Sequence, residues 1–112
     1  MRIFVELWNA RPEWLALSEE ERGNYMQQVG AGMGELAKAG IEVVCWAENN
    51  PDTSHRCGYQ YLAVWKMLDE KAVKLFEETV EQAGWYNYFE QVNAGGKLST
   101  PDDIIGRIMK LR

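Results

Sequence analysis

The alternation of apolar and polar stretches along the chain predicts a β-α-β-β-α-β order of elements. Four runs rich in β-branched and aromatic residues are typical of strands. They cover Ile3–Asn9, Ile41–Glu48, Tyr59–Met67 and Tyr86–Asn93. Two longer segments carry an apolar residue every three or four positions and predict amphipathic helices, over Glu19–Ala39 and Glu70–Ala83. This order predicts an α+β fold in which both helices cover one face of a four-stranded antiparallel sheet.

Local signals mark the ends of both helices. Ser18 and Glu21 have the spacing of a capping box, in which each side chain bonds the other residue's backbone N–H. Asp69 is placed to cap the second helix. Gly40 and Gly84 follow the two helical patterns, where a left-handed residue ends a helix.

A short last helix is predicted from Pro101 to Leu111, after a turn at Asn93–Gly96. This helix has an apolar face made of Ile104, Ile105, Ile108 and Met109. Two positions for it stay open. It lies along a partner subunit, or it closes the cleft between helices and sheet.

Alternation along the strands predicts which side chains share a face of the sheet. The first set is wholly apolar and is expected beneath the helices: Ile3, Val5, Leu7, Ile41, Val43, Cys45 and Ala47. The opposite set mixes aromatic, aliphatic and acidic residues: Phe4, Glu6, Trp8, Glu42, Val44, Trp46 and Glu48. A face of this mixed character suits coverage by the sheet of a second copy, which predicts a homodimer. Lys66 is then the expected ion partner of Glu6 or Glu42 inside that interface.

Size and charge narrow the classes of partner. A chain of 112 residues forms one domain, and its net charge of −5, without a cluster of Lys or Arg, argues against binding to nucleic acid. No apolar stretch reaches the length of a membrane span, so no membrane partner is expected. Cys45 and Cys57 are expected to be free thiols in a reducing cytoplasm.

His55 is the single histidine, and it lies in a polar loop. A histidine titrates near neutral pH and can act as a general base or as a metal ligand. One histidine does not make a typical zinc site, so no metal site is predicted. A solvated loop residue, a catalytic residue and a haem or metal ligand remain the alternatives for His55.

Aromatic residues in the strands suggest a pocket for a planar small molecule, because indole and phenol rings offer flat apolar area with one polar atom. The candidates for ligand contact are Trp8, Trp46, Tyr61 and Trp65. The alternative is that these rings simply fill the core and the dimer interface.

Three glycines interrupt the first helix, at Gly30, Gly32 and Gly34, although each costs about 1 kcal/mol relative to alanine. Two reasons stay open: close approach of the helix to the sheet, or space for a cavity. In the second case the cavity is a ligand site that Met33 lines.

The element order, the chain length and the sequence Tyr88-Phe89-Glu90-Gln91-Val92-Asn93 make residues Met1 to Leu98 similar to the dimeric α+β barrel superfamily. That superfamily includes small antibiotic-biosynthesis monooxygenases, muconolactone isomerases, EthD-like proteins and stress-responsive barrel proteins. The resemblance implies one ferredoxin-like domain, 1–112, that pairs into a barrel.

The resemblance also implies a type of site. In the cofactor-free oxygenases of this superfamily, a Trp or Tyr and an Asn hold a phenolic substrate whose carbanion meets oxygen. Trp8, Trp65, Asn9 and Asn93 are the matching positions, which makes Asn9 and Trp65 candidates for catalysis beside His55.

Three functional hypotheses follow. The first is a cofactor-independent monooxygenase or isomerase acting on a small aromatic or polyketide-like molecule. The second is a non-catalytic dimeric module that binds a small ligand or a protein. The third is haem or metal binding through His55. The sequence carries no catalytic signature that chooses among them.

Overall fold

The computed structural model describes residues 1–112. The four strands form one sheet, and the helices are connected to it in the order that follows. The elements are β1 (Arg2–Ala10), α1 (Pro12–Leu15), α2 (Glu19–Lys38), β2 (Ile41–Glu48), β3 (Tyr61–Met67), α3 (Glu70–Gln82), α4 (Trp85–Tyr88), β4 (Phe89–Lys97) and α5 (Pro101–Met109). The four strands pair antiparallel in the order β2-β3-β1-β4. The α+β class and the four-stranded antiparallel sheet are therefore confirmed, and the arrangement is compatible with a ferredoxin-like fold.

The predicted signals at the helix ends are confirmed. The capping box of α2 is complete: the Ser18 hydroxyl accepts from the Glu21 N–H and the Glu21 carboxylate accepts from the Ser18 N–H. The Asp69 side chain accepts from a backbone N–H in the first turn of α3. Gly40 and Gly84 have φ angles of 83° and 72°, which a residue with a side chain rarely adopts.

The last strand begins and ends later than the sequence pattern predicts. Trp85–Tyr88 forms the short helix α4, and Asn93–Gly96, predicted to be a turn, lies inside β4. The indole of Trp85 stacks on the Phe89 ring at 4.1 Å between centroids, which folds the chain back before the strand begins. Gly95 suits a strand interior here, because a Cβ atom would lie 3.3 Å from the backbone oxygen of Ile3.

The predicted facing of β1 is wrong. Phe4, Glu6 and Trp8 lie beneath the helices and are buried, whereas Ile3, Val5 and Leu7 point to the opposite face and are half-buried. Phe4 meets Phe76 of α3 edge-to-face at 5.2 Å, and Trp8 meets Trp85 of α4 at 5.8 Å. The large rings occupy much of the gap between helices and sheet. The Trp65 indole N–H and the Gln91 amide donate to Glu6, the acidic side chain that was expected on the other face.

A β-bulge decides the facing of β2. The pairing with β3 shifts between Val43 and Cys45, so that Val43 and Trp46 both lie on the helix side. The prediction for Ile41 and Val43 is therefore correct, whereas that for Cys45 and Ala47 is wrong.

The sheet face away from the helices is aliphatic, and we call it the open face: Ile3, Val5, Leu7, Leu62, Val64, Val92, Ala94, Cys45 and Ala47. Lys66 also lies on this side, opposite Glu42 in the strand register, whereas Glu6 points to the other side. The expected Glu6–Lys66 pair is therefore wrong. No helix combines the length and the hydropathy that crossing a membrane requires.

Candidate functional site: an apolar cavity with one buried carboxyl group

A cavity of about 250 Å³ lies between α2, α3 and the sheet. Most of its lining is apolar: Tyr25, Val29, Met33 and Leu36 from α2, Phe76 and Val80 from α3, and the indoles of Trp46, Trp65 and Trp85. Its polar members include Glu6, Gln28 and Thr79. Because an apolar cavity of about 150 Å³ can bind benzene, this volume suits a small aromatic molecule.

Glu6 is the acidic group of the lining and is only 5 % exposed. The Trp65 indole nitrogen donates to its Oε1 at 2.6 Å, and the Gln91 amide nitrogen donates to its Oε2 at 2.8 Å. Gln91 is itself fixed, because its Oε1 accepts from the indole nitrogen of Trp85 at 2.7 Å. The carboxyl group is thus held in one orientation by strands β3 and β4 and the helix α4.

Burial raises the pKa of Glu6 above its ordinary value of 4.5, while the hydrogen bonds from Trp65 and Gln91 act in the opposite direction. Both neighbours are donors, so the carboxyl group only accepts from them and can carry a proton on a remaining lone pair. Such a group can take or give a proton at the cavity surface.

We expect the free energy of unfolding to fall as the pH rises from 4.5 towards neutral, because the folded state resists ionising Glu6 and the unfolded state does not. The contribution of Glu6 is complete below its ordinary pKa and is lost as the pH passes the raised folded pKa. Each unit between the two pKa values is worth about 1.4 kcal/mol. Urea unfolding of the wild type and of Glu6→Gln measures it.

The stability of the wild type relative to Glu6→Gln should be highest at low pH and should fall as the pH rises, because only the wild type has the titrating carboxyl group. Glu6→Gln leaves one pair of donors facing each other, which costs about 1 kcal/mol at every pH. Parallel pH profiles for the two proteins would contradict the assignment.

Tyr25 is not a proton acceptor at neutral pH. Its hydroxyl donates to the Ala83 carbonyl oxygen at 2.8 Å. Burial first, and Tyr88 second, raise the pKa of Tyr25 above its ordinary value.

The glycines of α2 are explained in part by the cavity. A Cβ atom built on Gly30, Gly32 or Gly34 would meet nothing within 4 Å, so close approach of helix and sheet is not the reason for them. Gly32 lines the cavity, which agrees with the alternative that these positions provide space. Gly30 and Gly34 lie outside the lining, and nothing in the structure explains them.

Among the residues predicted from the sequence, Trp65, Trp46 and Met33 come together on the cavity wall. Trp8 is buried beside them, with its ring 5.1 Å from Trp46 and 6.0 Å from Tyr61. Trp8 and Tyr61 therefore support the wall without being part of the lining.

Asn9, Asn93 and His55 lie outside the lining of this cavity. Asn93 accepts from the Gln91 amide nitrogen at 2.9 Å, so it contacts a residue that donates to Glu6. His55 is exposed in the loop between β2 and β3, with a φ angle of 55°. No group of three or more His, Cys, Asp or Glu side chains has a metal-binding arrangement.

Asn9 binds the loop between β2 and β3. Its amide nitrogen donates to the Gly58 carbonyl oxygen at 3.0 Å, and its side-chain oxygen accepts from the Gln60 N–H at 2.8 Å. We expect Asn9→Ala to cost about 1–2 kcal/mol of stability and to speed amide exchange in this loop, because both bonds are lost. Ligand binding in the cavity should be unchanged. Amide exchange in this loop of Asn9→Ala as slow as in the wild type would contradict this role.

Sequence reasoning missed the central role of Glu6 and did not select Gln91 or Gln28. Trp8 and Gln91 are partners in the β1–β4 register, and Glu6 shares their face. The signal in the sequence was the alternation Phe4-Glu6-Trp8, which places a carboxyl group among rings. It became interpretable only once Trp65 and Gln91 were seen to donate to that carboxyl group.

These features define the class of protein: a small α+β domain with an apolar cavity that contains one oriented, buried carboxyl group. The chain belongs to the family of unknown function DUF6616, whose model matches residues 1–111. The comparison with curated proteins gives no match.

Proposed function

We propose that this protein is an enzyme that moves a proton at carbon in a small, neutral carbonyl compound with an aromatic or other planar apolar body. The observation that carries the proposal is the buried Glu6 carboxyl group, oriented by Trp65 and Gln91 on the wall of an apolar cavity. A charged base in such surroundings is weakly solvated, which favours proton abstraction.

The chemistry balances without an added cofactor. The Glu6 carboxylate takes a proton from the carbon beside the carbonyl group, and the C–H electron pair moves to the carbonyl oxygen. Two lining groups can donate to that oxygen, the Gln28 amide and the Trp46 indole N–H, because the other two indoles are engaged by Glu6 and Gln91. Return of the proton to a different carbon completes an isomerisation.

The oxygenase alternative begins with the same step. The carbanion then gives electrons to dioxygen, which is a second substrate. Uptake of oxygen during turnover would therefore separate a monooxygenase from an isomerase, and both depend on Glu6 as the base.

We infer that the fold is ferredoxin-like and that two copies pair as in the dimeric α+β barrels. The β-α-β-β-α-β order of the main elements supports this, as do α2 and α3 on one face and an aliphatic open face on the other. Two exposed free thiols, Cys45 and Cys57, favour a cytoplasmic location.

The proposal is tested with 2-indanone, a planar ketone with acidic C–H bonds, in deuterated buffer. We expect the protein to accelerate replacement of these protons by deuterium, followed by nuclear magnetic resonance, and the ketone to quench tryptophan fluorescence. Quenching without accelerated exchange would instead favour the non-catalytic ligand-binding module. The absence of both signals, with 2-indanone and with related cyclic ketones, would overturn the proposal.

A further inference from the structure

The chain exposes more surface than a folded monomer of its mass should. Its accessible surface is 7967 Å², against about 6,300 Å² expected for a 12.9 kDa protein. Its radius of gyration is 16.1 Å, against about 13 Å for a compact domain of this length. The excess of about 1,700 Å² exceeds the roughly 800 Å² that each partner buries in a standard interface.

One source of this surface is α5. Its apolar residues share one side of the helix and are strongly exposed: Ile104 42 %, Ile105 53 %, Ile108 59 % and Met109 79 %. The polar side contains Asp102, Asp103, Arg107 and Lys110. No other element packs extensively against this helix. An amphipathic helix with its apolar side in water lacks the partner that such a pattern requires.

The other source is the edge strand β2. Seven of its eight residues are exposed, among them Val43 at 46 %, Val44 at 56 % and Trp46 at 44 %. An exposed apolar edge normally needs a cover. Trp46 also lines the cavity, so whatever covers this edge also borders the candidate site.

We propose that α5 of one copy packs on the β2 edge of a second copy, at Val44 and Trp46, and thereby forms part of the rim of the partner's cavity. The two surfaces lie at opposite ends of the strand order, since α5 follows β4 and β2 is the other edge. They do not meet within one chain, where both remain exposed. In a two-fold dimer the exchange occurs twice.

Charge supports a second copy as the occupant. The segment Arg107–Arg112 contains three basic residues and no acidic one. The rest of the chain then has 9 basic and 17 acidic residues, because the totals are 12 and 17. β2 itself carries two exposed carboxylates, Glu42 and Glu48, and no basic residue. The end of α5 is therefore complementary to the edge that it covers.

The inference rests on the proposed pairing of two copies but not on the chemistry of Glu6, and sedimentation equilibrium tests it. We expect the wild type to sediment at twice the 12.9 kDa mass of one chain. Ile108→Glu and Val44→Glu should each raise the dimer dissociation constant about 100-fold, because each change affects both copies of the contact. Both residues are exposed in the single chain, so neither change should disturb folding. Leu15→Glu, at a 63 % exposed leucine outside both surfaces, is the matched control.

Mixing the two variants gives the sharpest result. One contact in the mixed dimer joins the intact α5 of the Val44→Glu chain to the intact edge of the Ile108→Glu chain. We expect the mixture to dimerise more tightly than either variant alone. Acrylamide quenching of tryptophan fluorescence should fall as the mixed dimer forms, because Trp46 is then covered.

Three results would overturn the exchange. A dimer unaffected by Ile108→Glu would do so while leaving the pairing of two copies intact. A wild type that sediments as a single chain would overturn the pairing as well. Binding of α5 to vesicles of anionic lipid, lost in Ile108→Glu while the protein stays monomeric, would assign the helix to a membrane surface instead.

Discussion

Replacing Glu6 by glutamine should abolish catalysed exchange of the 2-indanone C–H protons, lowering the rate by about 10²–10⁴-fold. The variant keeps the size of the side chain and one of its two accepted hydrogen bonds, but it has no carboxylate to accept the proton. Binding of the ketone should weaken far less than the exchange rate falls, because the apolar walls remain. Fluorescence titration gives the affinity, and nuclear magnetic resonance gives the rate.

A pair of glycine variants provides the matched control for this result. Gly32→Val places two methyl groups at the cavity wall and should block binding of the ketone, whereas Gly34→Val, on the same helix and outside the lining, should not. Circular dichroism establishes that each variant is folded. Undiminished exchange in Glu6→Gln, or equal effects of the two glycine changes, would contradict the site.

Replacing Trp65 by alanine should produce the largest loss of stability, about 3–5 kcal/mol. The indole is 3 % exposed, packs on Phe76 at 4.9 Å between ring centroids, and donates to Glu6. Its removal creates a void and also leaves the buried carboxyl group with one donor fewer. Urea unfolding at neutral pH measures the change.

Trp65→Phe separates the two effects. It keeps much of the ring and removes the N–H group, so we expect a smaller loss of about 1–3 kcal/mol, the cost of leaving a buried acceptor without its donor. The pKa of Glu6 should rise further in this variant, because a bond that lowers it is gone. Equal stability of Trp65→Phe and the wild type would show that the indole N–H contributes little.

The helix ends were readable from the sequence because they depend on neighbouring residues. The Ser18–Glu21 capping box and the left-handed Gly40 and Gly84 are local features, and the structure has each of them as expected. The start of β4 was not readable, because Trp85 is buried against Trp8 of β1, which is far from it in the chain.

The candidate site was readable only in part. Aromatic strand residues and a thinned helix indicated a pocket, and Trp46, Trp65 and Met33 do line one. The role of Glu6 was hidden, because an acidic residue in an apolar pattern is expected at an interface unless its donors are known. Those donors, Trp65 and Gln91, are 59 and 85 positions away in the chain.

The sequence by itself determined the main strands and helices, the caps of the two long helices and the order of these elements, since they follow from periodicity and from contacts within one turn or one strand. Only the tertiary structure decided which face of the sheet lies beneath the helices. Alternation states which side chains share a face, but the choice between the faces depends on packing volume, on distant hydrogen-bond partners and on the bulge at Val44. The wide gap beneath the helices accommodates the indoles and the carboxyl group, so the aliphatic face is left open.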